Sequence, residues 1–554
     1  MNQTHYPFWP KRMPTTLVYP RTPLYDFMET SARRYPDHTA VVCYGRRLNY
    51  AELDEACLRL AGALAGFGVE KGDRVALYMQ NCPHFIIGFF GTMRANAVLV
   101  PLNPMLVPEE FRKLLRDSGA RVVITTTELY DRAAEVCREL GIEKIIVGSH
   151  RDYLPEAPEL PVPPFMLEAP ERIEGAPAWL DVLAEAGPPP EVRVGPDDLC
   201  LLPYTAGSTG IPKGCMHTHA SLTSNSLGAA VFVGMTAASV HLAALPFFHV
   251  TGMVHSMVGP VVAGGTIVLL TRWDREAGLQ AIEKYRCTHW VNITTMLIDA
   301  LAAPGIESRD LGSLLQVGGG GAPLPVAVGE QLRDLTGLTY VEGYGLTETI
   351  SQTHFNPPDR ARLGSVGVPH FGTDSRVIDP STGVEVPPGQ DGEIVVHGPQ
   401  VLKGYWNKPD ETREAFIELE GKTFFRTGDI GRMDEEGYFY IVDRVKRMIN
   451  AAGFKVWPTE VEAVLYHHPA VLEACVVGVP DPERVENVKA FIVTKPEHRD
   501  RVSADEIIAW SRERMSAYKY PRLVEFVEEL PKSGAGKVLW RVLQEQERER
   551  VAKG

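Results

Sequence analysis

Between residues 22 and 142, two apolar periods take turns along the chain. Residues 50–64 carry apolar side chains at helical spacing, and 84–95 and 109–115 repeat that spacing. Short apolar runs separate them: 74–78 after the turn Lys71-Gly72-Asp73, then 98–102 and 121–125. Strand-length runs between helical segments predict parallel strands joined by helices. No G-x-G-x-x-G occurs there, so a dinucleotide fold has no support.

The pattern then breaks. Eleven prolines fall between Pro155 and Pro196, which reads as a partly extended surface excursion. A second α/β region follows, about 197–360. In it, residues 242–253 read as a strand ending near His249, and 261–270 as a strand pair around Gly264-Gly265. A strand at 314–324 enters four glycines, and one at 339–348 ends in a polar turn. In open α/β sheets such strand ends bind ligands. From 361 to 441, short strands with tight turns suggest a β-rich subdomain, with a distorted barrel as one form. The last segment mixes helices and strands. Ser503 opens an amphipathic helix with a capping box, and two strands flank Pro480-Asp481-Pro482.

Length and composition narrow the class. A chain of 554 residues exceeds one hydrophobic core. With 44% hydrophobic and 23% charged residues it has the composition of a soluble globular protein. A net charge of −14 disfavours nucleic acid and anionic lipid as partners. Eight scattered cysteines, without zinc or C-x-x-C spacing, favour reduced thiols in a cytoplasmic enzyme. No signal peptide or transmembrane segment is expected.

The candidate chemistry centres on 204–214. After an apolar run come Thr205, Gly207, Ser208, Thr209, Gly210, Lys213 and Gly214. Glycines let backbone N–H groups turn inward into a nest for phosphate oxygens, hydroxyls add donors, and Lys213 adds a charge. The order is not that of a Walker A loop, because Pro212 precedes Lys213 and Gly214 follows it. No helix is therefore expected at the lysine. Read alone, the loop is equally a solvent-exposed turn.

Taken with seven further motifs in order, the chain resembles the adenylate-forming superfamily: acyl- and aryl-CoA synthetases, luciferases and peptide-synthetase adenylation domains. The motifs are 204–214, Pro246 to His249, Gly319 to Pro323, Tyr344 to Glu348, Thr427-Gly428-Asp429, Asp443 to Lys446, Gly453 to Lys455 and Pro531 to Lys537. The resemblance spans roughly residues 20–545. It implies an α/β fold: a large N-terminal domain of two α/β subdomains plus a β-rich subdomain, 1–443, and a small mobile α+β C-terminal domain, 444–554.

It also implies chemistry. A carboxylate attacks the α-phosphate of ATP, giving acyl-adenylate and pyrophosphate, and coenzyme A then displaces AMP. The loop would hold the β- and γ-phosphates. Gly320, Gly321, Ala322 and Pro323 would let adenine approach the backbone, with Glu342, Gly343 and Tyr344 beside it. Asp429 would bind the ribose hydroxyls, and Arg444 the ribose or its phosphate. Thr347 would touch the α-phosphate, and Glu348 would hold Mg²⁺. Lys537 would bridge the acid and the α-phosphate as charge develops. Lys446 would be the hinge that removes Lys537 and brings Gly453 beside the pantetheine thiol. Alone, Lys537 is an ordinary surface lysine and Asp429 a turn residue; the ordered set of motifs reverses those readings.

Two departures from the family stand out. Ala206 and Ser208 occupy positions usually held by Ser or Gly and by Thr, and residues 482–487 lack the usual aromatic-Gly-Glu turn. The acyl wall is expected along 247–257, 292–296 and 317–320, where no charged residue occurs. A buried ammonium would go unpaired there, which argues against an amino-acid substrate. Gly345 and Leu346 stand where acetate-type relatives carry a Trp. Met253, Met257 and Met296 suit a flexible apolar chain, or are plain core. A medium- or long-chain fatty acid is favoured, then an aryl or branched acid, then luciferase-like chemistry. His249 either gates the pocket near the carboxylate or is a satisfied buried histidine. The partners implied are small-molecule substrates, and a homodimer is allowed.

Overall fold

The computed structural model describes residues 5–11, 13–205, 212–321, 324–444, 447–451, 454–481, 485–499, 501–532 and 538–553. The chain packs into two compact units. One comprises Met1–Ser375, Val396–Phe425 and Glu436–Phe439, the other Arg376–Val395, Arg426–Glu435 and Tyr440–Gly554.

The first unit is built on two sheets. In the six-stranded sheet, Leu199–Leu201, Val98–Leu102, Arg74–Tyr78, Ala120–Thr126 and Lys144–Gly148 run parallel, and His217–Thr218 closes one edge antiparallel. The period of two sorts its side chains between two cores. Val75 and Leu77 enter one cluster. Ala76 and Tyr78 enter the other, with Phe111, Leu114 and Leu115 of helix Pro108–Ser118. Helix Pro83–Arg94 is apolar on every side, and each residue from Pro83 to Met93 is buried. A helix with that pattern belongs inside a large core, and its Phe85, Ile86, Phe89 and Phe90 share a cluster with residues of both sheets. Helix Tyr50–Gly66 begins on a capping box between Asn49 and Glu52.

The nine-stranded sheet carries the candidate site. Its order is Val368–Pro369, Ser351–Phe355, Val341–Leu346, Gln316–Gly320, His289–Asn292, Val240–Ala243, Thr266–Leu269, Thr39–Cys43 and Arg46–Asn49. The six strands from Val341–Leu346 to Thr39–Cys43 are parallel to their neighbours. Their carboxyl ends therefore share one edge. Thr39–Cys43, early in the chain, crosses from the first α/β region to pair with Thr266–Leu269. The expected strand pair at 261–270 is instead helix Gly259–Ala263 followed by one strand, because Gly264 at φ +75° caps the helix before the strand starts.

The second unit contains another five-stranded sheet, with Val485–Thr494 between Val471–Asp481 and Leu523–Phe526. Its residues also sort by period: Ala474 and Val476 pack on helices Pro458–Leu465 and Ala504–Arg512, while Cys475 and Val477 pack with Leu530 and Leu543. The two strands expected around Pro480-Asp481-Pro482 form the antiparallel pair Val471–Asp481 and Val485–Thr494. Ser503 caps Ala504–Arg512 by accepting from the Glu506 N–H. The β-rich stretch forms a five-stranded sheet of Asp374–Ile378, Gly392–His397, Lys422–Met433, Phe416–Leu419 and Phe439–Arg444, and its residues fall in the ranges of both units. Among the described residues no helix is long and apolar enough to cross a membrane.

Candidate functional site

The two ends of the candidate phosphate loop are fixed to each other. Tyr204–Thr205 pairs antiparallel with Lys213–Gly214, and the Tyr204 hydroxyl donates to Asp117 Oδ2 at 2.6 Å. Burial, and then the Asp117 carboxylate, push the Tyr204 phenol far above its ordinary value. As the residue order implied, no helix starts at Lys213; the next one is His219–Phe232, capped by Thr218. Thr205 and Lys213 are half-buried, while Ala206, Gly207, Ser208, Thr209 and Gly210 lie outside the described residues.

Strand Val341–Leu346 delivers Thr347 and Glu348 into a tight 3₁₀ turn, Thr347–Thr349. Ile350 and Ser351 follow at φ +45° and +104°, conformations costly for residues with a side chain. Surrounding groups hold the turn. The His217 imidazole donates from Nε2 to the Thr347 carbonyl at 2.7 Å, and Asn225 Nδ2 donates to the carbonyls of Thr349 and Ile350. Burial lowers the His217 pKa to about 4, so its ring stays neutral. The Leu402 N–H donates to the Glu348 carbonyl at 2.9 Å. The Tyr405 hydroxyl donates to Glu348 Oε1 at 3.0 Å, and Lys213 Nζ lies 4.8 Å from the centroid of the Tyr405 ring. Glu348 and Lys213 are thus brought together on Tyr405, and Thr347 adjoins Glu348 in the same turn.

The neighbouring strand Gln316–Gly320 is glycine-rich for a structural reason besides any ligand. A Cβ on Gly319 would lie 1.8 Å from the Asn292 carbonyl oxygen and 2.6 Å from the Tyr340 hydroxyl, and one on Gly320 would lie 2.3 Å from the Gly343 oxygen. Those atoms belong to packed backbone and a buried ring, which cannot yield cheaply. Gly319→Ala is expected to destabilise the fold by about 3 kcal/mol, read as a lower urea midpoint. An unchanged midpoint would show that the strands separate more easily than their packing implies.

Beside them Glu342 is buried, and burial raises its carboxyl pKa to about 7 against the opposing pull of the Leu324 N–H. Its Oε2 has no hydrogen-bond partner among the described residues. Gly343 and Tyr344 are half-buried, with the Tyr344 ring 5.7 Å from that of His354. Gly320 is half-buried and Gly321 exposed, while Ala322 and Pro323 lie outside the described residues.

His249 is exposed rather than buried. It precedes a π-helix, Gly252–Val258, a rare form that concentrates at functional sites. Met253 and Met257 are packed into the core, whereas Met296 is half-buried.

Asp429 belongs to the second unit. It follows Thr427, whose hydroxyl donates to the Ile394 carbonyl and accepts from the Asp429 N–H. Gly428 N–H and Arg426 both bond to Glu393, so this turn is rigidly held. Asp443 caps helix Pro458–Leu465 by accepting from the Thr459 N–H at 2.9 Å. The Arg444 side chain and residues Lys446, Gly453 and Lys537 lie outside the described residues.

Two residues of this constellation were not singled out from sequence. Tyr405 sits 57 positions from Glu348, and His217 sits 130 positions from Thr347. Neither stands in a periodic pattern, so only the fold reveals them.

Comparison with known proteins shows the family. The AMP-binding enzyme family model matches residues 28–406, and the AMP-binding enzyme C-terminal domain model matches 460–537. The chain is 36% identical over 551 residues to a long-chain-fatty-acid–CoA ligase of Bacillus subtilis (strain 168), covering 98% of this chain and 97% of the relative. It is 40% identical over 512 residues to a feruloyl-CoA synthase of Amycolatopsis sp, covering 92% and 96%. Among solved structures, ATP-bound MatB from Rhodopseudomonas palustris superposes with a TM-score of 0.83 at 29% identity, covering 94% of this chain and 98% of that one.

Proposed function

Because the chain belongs to the AMP-binding enzyme family and is an AMP-forming acyl-CoA synthetase, we propose that its acid is a medium- or long-chain fatty acid. One observation carries this reading. The carboxyl ends of strands Val341–Leu346, Gln316–Gly320, His289–Asn292 and Val240–Ala243 share an edge, and the segments that follow or form it, 247–257, 292–296 and 317–320, contain no charged residue. Thr347 and Glu348 leave the same edge. An acid bound there keeps its tail among uncharged groups and its carboxylate toward the phosphates. A second reading, an aryl acid such as a hydroxycinnamate, is favoured by the similarity to the feruloyl-CoA synthase.

ATP and coenzyme A are the co-substrates of this reaction. In our reading Lys213 and the loop hold the β- and γ-phosphates, Thr347 the α-phosphate and Asp429 the ribose. Glu342 Oε2, which has no hydrogen-bond partner among the described residues, suits the adenine amine as a donor. Among the described residues no three His, Cys, Asp or Glu gather as a metal site. Mg²⁺ takes one or two carboxylates and completes its shell with phosphates and water. Glu348, half-buried with one oxygen bonded to Tyr405, would hold it. The ion would neutralise phosphate charge during attack. The C-terminal domain, 444–554, would turn about Lys446 between half-reactions, exchanging Lys537 for Gly453. A cytoplasmic location is supported by eight cysteines, all free and buried.

The test is ATP–pyrophosphate exchange and thioester formation across saturated acids of four to eighteen carbons and hydroxycinnamates. We expect kcat/KM to climb by about tenfold for each two methylenes until the pocket is full. A maximum on ferulate would favour the aryl reading, and no AMP from any acid would reject both.

A further inference from the structure

We propose that Tyr405 is a positioning residue that sets the Glu348 carboxylate and the Lys213 ammonium in fixed relation before the nucleotide arrives. This rests on the reading of Glu348 and Lys213 as the metal- and phosphate-holding groups given above.

One side chain touches both charges through different parts. Its hydroxyl donates to Glu348 Oε1 at 3.0 Å, and its ring face carries Lys213 Nζ at 4.8 Å from the centroid. A phenol has one O–H to give at its edge and a negative π-face to offer, so the two contacts do not compete. Lys213 and Glu348 are opposite charges on neighbouring segments. Paired directly, they would fill the place that phosphate and cation need. Tyr405 gives each a separate partner.

The tyrosine itself is held fast. Residues 402–406 run beside residues 214–216, at the exit of the phosphate loop, without forming a regular strand. Lys403 N–H donates to the Met216 carbonyl, Met216 N–H to Gly404, and Trp406 N–H to Gly214, with Tyr405 opposite Cys215 in an antiparallel bridge. The same segment reaches the metal turn through Leu402 N–H and the Glu348 carbonyl. Trp406 Nε1 donates to the Asp117 carbonyl, so it anchors on the residue that also accepts from Tyr204. The Tyr405 N–H donates to Thr412 Oγ1 at 2.9 Å, and its side chain is buried. Segment 402–406 therefore ties both ends of the loop to the Thr347-Glu348 turn, and Tyr405 is the point where that tie meets the charges.

The test is equilibrium binding of ATP to the full chain without acid, titrated with Mg²⁺ and followed by calorimetry. Y405F keeps the ring and removes the bond to Glu348. We expect the Mg²⁺ concentration for half-maximal ATP binding to rise about tenfold, with ATP affinity at saturating Mg²⁺ within about twofold. Y405L also removes the ring under Lys213, and should weaken ATP about fivefold further even at saturating Mg²⁺. A merely structural tyrosine would lower both affinities and the unfolding temperature together. If Y405L does not fold, Y405F decides alone. An unmoved Mg²⁺ midpoint in Y405F, with the unaltered protein binding MgATP normally, overturns the proposal. Failure of the unaltered protein to bind MgATP overturns instead the nucleotide reading on which it rests.

Discussion

Lys537→Ala is expected to lower acid-dependent ATP–pyrophosphate exchange by about 10²–10³-fold, while conversion of a supplied acyl-adenylate to thioester stays within about threefold. The asymmetry follows from where charge develops. In adenylation, a carboxylate and an α-phosphate, both anionic, must approach, and negative charge builds on the α-phosphate oxygens. In our reading the Lys537 ammonium would sit between them and offset repulsion that grows toward the transition state, so removing it would cost rate rather than uniform binding. Thioester formation begins from a mixed anhydride whose carboxylate charge is gone, and a thiol displaces AMP. That step has no second anion for the lysine to bridge. Both half-reactions are measured on one preparation, the first by exchange of labelled pyrophosphate and the second by release of AMP from synthetic acyl-adenylate. Equal loss in both would mean that Lys537 supports the fold or both reactions, and would remove it from the adenylation step.

The second large effect is acid unfolding between about pH 6 and pH 4.5, driven by buried neutral histidines. Burial lowers His217, His219 and His255 from 6.5 to about 4, and His354 and His370 to about 3. Their surroundings explain why. His255 stacks on Phe355, His354 lies 4.3 Å from the Phe439 ring, and His370 packs against Phe232 and Phe371. Protonation would also set His354 and His370 against each other and against His5 and His255. The sign is fixed by linkage. Folded pKa values lie below the unfolded one, so the unfolded chain takes up protons first. This stability is complete above about pH 6.5 and is lost as pH falls toward 4.

Each group adds about 1.4 kcal/mol per pH unit in that window, and five add about 7 kcal/mol per unit. A net stability of about 5–15 kcal/mol does not survive long at that slope. Glu342 acts in the opposite sense. Its folded value of about 7 exceeds 4.5, so it favours the folded state below pH 4.5 and loses that effect as pH rises. One group against five does not reverse the trend. Circular dichroism against pH should show a cooperative transition near pH 5, and combining His354→Gln with His370→Gln should reduce its steepness by about two fifths. Stability that stays flat from pH 7 to pH 5 would refute the histidine account.

Much of the fold is legible along the chain because burial imposes a period. Helix Tyr50–Gly66 is readable from its spacing and strand Arg74–Tyr78 from its short apolar run, since one face of the helix and both faces of the strand meet a core. The error at 261–270 has the same origin: Gly264-Gly265 flanked by apolar residues fits a strand turn and a helix cap equally well, and only packing chooses. The glycines at 318–320 were legible as special, but their structural cause was not. A carbonyl 27 residues earlier in the chain, on Asn292, fills the space a side chain would need.

The sequence by itself determined the chemistry: which residue types occur, in which order, and therefore the family and its AMP-forming reaction. It determined this because a motif is a local run of residues, and local runs survive in one dimension. The tertiary structure alone decided which distant groups control one another. Tyr405 reaches Glu348, His217 holds Thr347, and Thr39–Cys43 completes a sheet begun more than two hundred residues later. Such contacts carry no period and no spacing rule, because they are fixed by how strands stack edge to edge and not by how far apart residues lie along the chain.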